Sequence, residues 1–339
     1  MGEKLSSQRS WLVTGAAGFI GSHLVENLLK QGQRVIGLDN FSTGKRENIE
    51  YLKETAAPER KGLFTFFEQD IRDREGLAEL VKTHAPDVIL HQAALGSVPR
   101  SIADPLASHQ SNVDGFVHML EAARLAKVKR FVYASSSSVY GDITDSSKVE
   151  SRIGACLSPY AVTKRCNELY GQIFGRTYGM ETVGLRYFNV FGPRQDPKGP
   201  YAAVIPRWLE AIRTGTQAVM YGDGTTSRDF CFVRNVVQAN ILAGSVSSDS
   251  PAVNSVVNIA CGATTSLKKL FQLLREESAR VKGIDVSQIL LPKEEPFRQG
   301  DILHSLADIT LARNSLGYEP THTVEEGVRE LVEWFLAQT

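Results

Sequence analysis

Thr14-Gly-Ala-Ala-Gly-Phe-Ile-Gly21 follows an apolar run, Trp11–Thr14, and opens onto an amphipathic segment, Ile20–Lys30. Strand, glycine turn and helix in that order decide the local fold. The glycines stand at 15, 18 and 21, spaced G-x-x-G-x-x-G, not the familiar G-x-G-x-x-G. The spacing meets the same needs: a tight turn, a backbone that can approach a pyrophosphate, and a helix packed close to its strand. Glycine-rich turns are common, so the turn alone is a weak signal. Its surroundings strengthen it. The next apolar run, Arg34–Asp39, ends in an acid 18 residues after Gly21, placed to accept hydrogen bonds from both hydroxyls of a dinucleotide's ribose. A carboxylate there repels a 2′-phosphate, which favours NAD over NADP. Lys45 and Arg46 are the counter-argument, and two basic residues in a loop read more simply as solvated.

Working outward, short apolar runs recur at Phe64–Glu68, Val88–His91, Arg130–Ser135 and Thr182–Tyr187. Helix-like segments separate them, at Arg74–Thr83, Asn112–Ala126 and Tyr160–Tyr178. This alternation predicts an α/β fold, a doubly wound parallel sheet with helices on both faces and ligands at the carboxyl ends of its strands. Asp70 ends the third run, where a surface turn and a place near an adenine are equally good readings. After residue 188 the texture changes. Phe-Gly-Pro-Arg-Gln-Asp-Pro-Lys-Gly-Pro (191–200) reads as an irregular loop, followed by shorter mixed elements and a last helix, Val324–Ala337. The division expected is 1–188 for the sheet domain and 189–339 for a smaller α/β domain, some of whose chain returns to the first.

The bulk numbers exclude several classes. Lys+Arg and Asp+Glu each total 38 over 339 residues, so no basic excess points to nucleic acid or an anionic membrane. No run of about 18 apolar residues occurs, so no membrane span is expected. Four cysteines without zinc or disulfide spacing predict reduced thiols, no metal site and a cytoplasmic protein.

Tyr160-Ala-Val-Thr-Lys164 puts a phenol and an ammonium one turn apart on one helix face. Free tyrosine titrates near ~10; a neighbouring ammonium and a cationic nicotinamide would both favour phenolate, making a usable base. The pair alone is unspecific. With the glycine turn, Asp39 and a serine run 22–25 residues upstream, it gains weight.

With those residues, His91-Gln-Ala-Ala94, Ser135–Asp142, Arg186-Tyr-Phe-Asn-Val190 and Arg228-Asp229-Phe230 in order, nearly the whole chain resembles the extended short-chain dehydrogenase/reductases, specifically nucleotide-sugar 4-epimerases. The resemblance implies a Rossmann domain holding NAD tightly, a carboxyl-terminal domain holding a UDP-sugar, and a homodimer paired through helices around 101–125 and 158–178. It implies cofactor contacts from Gly15, Gly18, Phe19, Ile20, Gly21, Asp39, Asn40, Phe41, Ser42, Gly44, Asp70, Ile71, Gln92, Ala93, Ala94, Asn112, Ala134, Tyr160, Lys164, Tyr187 and Val190. Tyr160 would take the proton of the sugar's 4-hydroxyl while the C4 hydride passes to NAD. The keto sugar would then turn about its diphosphate link and receive the hydride on its other face.

Alignment on Val139-Tyr140-Gly141 places the family's catalytic hydroxyl at Ser136. The two positions after it carry Asp-Glu in the similar 4,6-dehydratases, and a Glu at the second in decarboxylases. Here they are Ser137 and Ser138, hydroxyls too weak as acid or base for either elimination. The resemblance further implies substrate contacts from Gly96, Ser97, Ser136, Ser137, Ser138, Asn189, Ala203, Val204, Tyr221, Arg228, Arg298, Asp301 and Ser305. Arg228 and Arg298 would clamp the pyrophosphate, as guanidinium geometry suits. Ser305 matches a gate position that is small where an N-acetyl group must fit, and Gly96–Ser101 resembles O-antigen-type enzymes that prefer UDP-N-acetyl sugars. The expected reaction is UDP-GlcNAc to UDP-GalNAc. Plain UDP-glucose/galactose and UDP-glucuronate are the alternatives, the latter through Arg100. A non-catalytic NAD-sensing protein on the same fold is disfavoured by the intact Tyr160/Lys164 pair.

Overall fold

The computed structural model describes residues 5, 7–55, 62–197, 202–297 and 303–338. Six strands form where apolar runs recur: β1 Ser10–Thr14, β2 Arg34–Asp39, β3 Phe64–Glu68, β4 Val88–His91, β5 Arg130–Ser136 and β6 Glu181–Tyr187. Every expected boundary holds to within one residue. β1 is almost wholly buried, as a strand covered on both faces must be.

Helices fill the crossovers. These are α1 Phe19–Lys30, α2 Arg46–Thr55, α3 Arg74–His84, α4 Val98–Ala103, α5 Pro105–His109, α6 Gly115–Leu125 and α7 Pro159–Tyr178. The pattern reading missed α2 because only Asn48, Ile49 and Leu52 of its polar ten residues are buried. It also expected one helix over 112–126. Instead a π-helical turn, Gln110–Asp114, precedes α6, and there the Asn112 amide turns inward. Ser158 caps α7 by accepting from Ala161 N, with Pro159 in the first turn, where its missing N–H costs nothing.

The second half builds its own small core. β7 Val190–Phe191 pairs with β10 Cys231–Phe232, β8 Val219–Tyr221 with β13 Lys293–Glu295, and β9 Ser227–Arg228 lies between β12 Thr265–Ser266 and β14 His304–Ser305. Trp208 on α8 (Val204–Thr214), Phe271 on α10 (Leu267–Lys282) and Leu331 on α12 (Val324–Leu336) meet in that core. Two elements of this half return to the first. α9, Val233–Ser245, packs on β4, β5, β6 and α1, and β11, Ser255–Ile259, joins the main sheet beside β6. The sheet therefore has seven parallel strands in the order β11-β6-β5-β4-β1-β2-β3. It reverses winding between β1 and β4, and ligands bind where such a reversal opens a crevice. Among the described residues no helix is long and apolar enough to cross a membrane.

Candidate active site

The turn after β1 is shaped by glycine. Gly15 has φ +70°, and its Cβ position lies 3.0 Å from Ala93 N in the loop after β4. At Gly21 a Cβ would sit 2.0 Å from the Gly15 carbonyl oxygen, so any side chain there would force α1 off its turn. Thr14 Oγ1 braces the facing loop by accepting from Gln92 N (3.2 Å) and Ala93 N (3.1 Å). It also bonds His91 Nδ1 at 3.0 Å. Burial holds His91 near a pKa of about 3, so its ring is neutral.

Asp39, at the end of β2, is buried. It accepts from Ala17 N (3.0 Å) and Phe41 N (2.8 Å). Desolvation raises its pKa, and those backbone donors oppose the rise. Gly44 approaches so closely that a Cβ would lie 2.8 Å from this carboxylate. A cleft opens beside it, lined by Gly15, Asp39, Asn40, Ser42, Ile71, Gln92, Ala93 and Ala94, all expected, together with Leu38, Thr43, Gln69 and Ser111, which were not. A backbone cradle that a single Cβ would fill, ending in a buried carboxylate, fits a dinucleotide.

Five expected cofactor contacts, Asn40, Asp70, Gln92, Asn112 and Tyr187, also bond other side chains or backbone. Asp70 holds Arg72 (2.7 Å) and Asn40 Nδ2 (2.8 Å), and the Arg72 bond lowers its pKa to about 2; its neighbours Gln69 and Ile71 line the cleft. Asn112 spends its amide on Leu95 N, Leu95 O and Thr163 Oγ1, pinning the loop after β4 to α7. Gln92, Tyr187 and Asn240 close a ring of hydrogen bonds at 3.0, 2.8 and 3.0 Å.

At the end of β5 the serine run divides. Ser135 Oγ donates to the buried Glu168 carboxylate at 2.7 Å. Ser136 accepts from Ser138 N at 3.2 Å, and its hydroxyl stands close enough to the Tyr160 phenol to favour the phenolate. Ser138 Oγ is buried and has no hydrogen-bond partner in the structure. Tyr160 and Lys164 do share a helix face, with Nζ 6.0 Å from the ring centroid. The ammonium is directed elsewhere, donating to Ala134 O at 2.9 Å. Burial raises the Tyr160 pKa and the Ser136 hydroxyl opposes it, while burial lowers Lys164 to about 8.

In the second half, Asp229 ties the expected substrate residues together. Its backbone carbonyl accepts from Asn189 Nδ2 (3.0 Å), and its backbone N donates to Ser305 O (2.9 Å). Its carboxylate accepts from Cys261 N and Gly262 N, and burial raises it to about 6. Arg228 stands opposite Ser305 on the paired strands β9 and β14. Ala203 caps α8 without a side-chain bond, so the amides of its Val204 turn have no capping side chain, and Tyr221 lies on β8. Ser97, at φ 104°, caps α4, and Gly96 has open space around it. Phe19, Ile20 and Gly18 form the entry of α1, and Val190 lies on β7. Arg298 and Asp301 lie outside the described residues. Sequence reasoning missed Asp229, Asn240 and Thr14. Of these Thr14 and Asp229 stand inside motifs, where neighbouring residues drew the functional reading.

A doubly wound sheet, a glycine cradle ending in an acid, and a tyrosine beside a serine at the strand ends make an oxidoreductase-type nucleotide site. The family described as GDP-mannose 4,6 dehydratase matches residues 12–331. The chain belongs to this family, within the extended short-chain dehydrogenase/reductases. It is 38% identical over 325 residues to a UDP-glucose 4-epimerase of Mycolicibacterium smegmatis, covering 96% of this chain and 97% of that one. It resembles the UDP-N-acetylglucosamine 4-epimerase from Methanobrevibacter ruminantium M1 in complex with UDP-N-acetylmuramic acid, with TM-score 0.86 and 38% identity over 98% of this chain and 100% of that one. It also resembles a variant UDP-glucuronic acid 4-epimerase from Bacillus cereus in complex with UDP-4-deoxy-4-fluoro-glucuronic acid and NAD, with TM-score 0.83 and 28% identity over 97% and 100%.

Proposed function

We propose that this enzyme, a UDP-sugar 4-epimerase of the short-chain dehydrogenase/reductase type using NAD, interconverts UDP-GlcNAc and UDP-GalNAc. The observation that supports epimerisation is Ser136 standing beside the Tyr160 phenol and followed by Ser137 and Ser138, with no carboxylate at either position. NAD, when bound, accepts a hydride from C4 and returns it, so no net redox change occurs. Gly15, Gly18 and Gly21 would take its pyrophosphate, Asp39 its adenosine ribose, and Lys164 its nicotinamide ribose. Tyr160 takes the 4-hydroxyl proton through or beside Ser136, whose hydroxyl both donates and accepts. The protein's work is orientation: Arg228 and Asn189 hold the diphosphate while the keto sugar turns about it.

The N-acetyl preference rests on Ser305, a small side chain standing opposite the diphosphate arginine Arg228. A Ser305→Tyr variant should lose turnover of N-acetylated sugars selectively; equal loss on plain hexoses would remove the gate role. The deciding experiment incubates the purified protein with UDP-GlcNAc, UDP-Glc and UDP-GlcA separately, without added NAD, and resolves products by NMR. No C4 epimer from any of them sinks the proposal, and release of water or carbon dioxide revives the elimination chemistries. A second reading, UDP-glucuronate 4-epimerisation, draws on Arg100 in α4 and would appear as turnover of UDP-GlcA alone.

Exposed apolar side chains support pairing of two copies. Ile102 and Leu106 are 64% and 74% exposed on α4 and α5. Leu169, Tyr170 and Ile173 line a shallow apolar hollow on α7 with Cys166.

A further inference from the structure

Tyr160, Lys164 and Glu168 follow one another at four-residue intervals along one face of α7. The mechanism uses the first two. Glu168 is fully buried, and its carboxylate is saturated. Oε1 accepts from Ser135 Oγ and Arg186 Nε, both at 2.7 Å. Oε2 accepts from Arg186 NH2 and Arg165 NH1, both at 2.9 Å. Three consecutive residues of β5 are thereby fastened to three successive turns of α7. Ala134 O accepts from Lys164, Ser135 donates to Glu168, and Ser136 stands beside Tyr160. A buried ion pair is weak as a source of stability, since apolar side chains of the same volume often serve as well. Its place beneath the reacting pair suggests another role.

We propose that Glu168 is a positioning residue for the epimerase reaction, tying the strand end that carries Ser136 to the helix turns that carry Tyr160 and Lys164. This rests on the reading of Tyr160 as the proton acceptor. The groups facing Glu168 are Ser135 and Tyr133 on β5, Arg186 on β6, Arg165 and Lys164 on α7, and Cys156 ahead of α7. Arg186 in turn touches Tyr140, Glu150 O and the Glu150 charge. Lys164 faces Tyr160 and the neutral His91, and Glu168 is the anion that opposes its desolvation. The ammonium is the working form, so activity should fall as pH rises through the lysine's pKa. Removing the Glu168 charge must move that alkaline limb to lower pH.

The test is the pH profile of kcat/KM of the holoenzyme on the UDP-sugar it turns over. Glu168→Gln should move the alkaline limb down by about one pH unit, roughly a tenfold loss above the limb and less at neutral pH. Ser135→Ala should lower kcat with the limb in place, and Glu168→Asp should keep the limb because it keeps the charge. Should Glu168→Gln fail to fold, the double variant Glu168→Gln with Arg186→Met removes the buried guanidinium that the first change leaves unpaired and should show the same downward shift. A limb unmoved in the glutamine variant, with activity lowered equally at every pH, would overturn the proposal. A wild-type enzyme that forms no C4 epimer would instead overturn the functional reading beneath it.

Discussion

Ser135 and Ser136 are the same residue in adjacent positions, and the fold employs them differently. One hydroxyl faces a buried carboxylate, the other a phenol, because the end of β5 passes from the interior into the crevice within one step. Tyr160→Phe should keep the fold and its bound NAD while lowering kcat by about 10²–10⁴-fold, the usual range for a positioned proton-transfer group. Ser136→Ala should fall in the same direction by a smaller factor, since the phenol remains. Steady-state kinetics beside thermal unfolding would check both, and a large fall in Tm with either would point to structure instead. The tyrosine and lysine were legible as a pair from spacing alone. Their actual relation was not, because a side chain's hydrogen-bond partner on another element, here Ala134 O, has no local signature.

At the scale of elements, glycine placement is the most demanding local feature. Gly21→Ala would set a methyl group against the Gly15 carbonyl, where the ideal Cβ lies 2.0 Å away. The variant should lose about 1–3 kcal/mol of unfolding free energy, as overpacking does. It should also release NAD on gel filtration, measurable as nucleotide freed by acid from the protein peak. Strands were readable because buried parallel strands are near-continuous apolar runs, and β2, β3 and β4 were bounded to the residue. α2 and the π-helical turn were not. The first is a mostly polar helix with a narrow buried face, and the second differs from an α-helix by one hydrogen-bond step that composition does not encode. The ring of Gln92, Tyr187 and Asn240 was equally hidden, since its members lie 53 to 148 residues apart.

At the scale of the molecule, α7 carries an exposed apolar face and Ile102 and Leu106 are exposed on α4 and α5, the surface proposed above for pairing. Leu169→Glu combined with Ile173→Glu should leave the fold intact and convert a dimer to monomers in light scattering. Unchanged mass would place any interface elsewhere. The change of texture after residue 188 suggests a division of the chain; the later elements build one core of their own and also contribute to the core of the main sheet. The return of β11 was foreseen only in general terms, because Ser-Val-Val-Asn-Ile names a strand without naming its neighbour.

That return orders events during synthesis. β6 is an interior strand of the finished sheet, yet its outer hydrogen-bonding edge has no neighbour until residues 255–259 have been made. For the time the ribosome needs to add that stretch, at ~5–20 residues per second, the growing chain carries an open, apolar sheet edge of the kind that recruits other strands. A fragment ending at 188 should therefore be insoluble or bound to chaperones. The last strand of the main sheet is supplied by the second half, so a nascent chain has no finished sheet before nearly half of that second half has emerged.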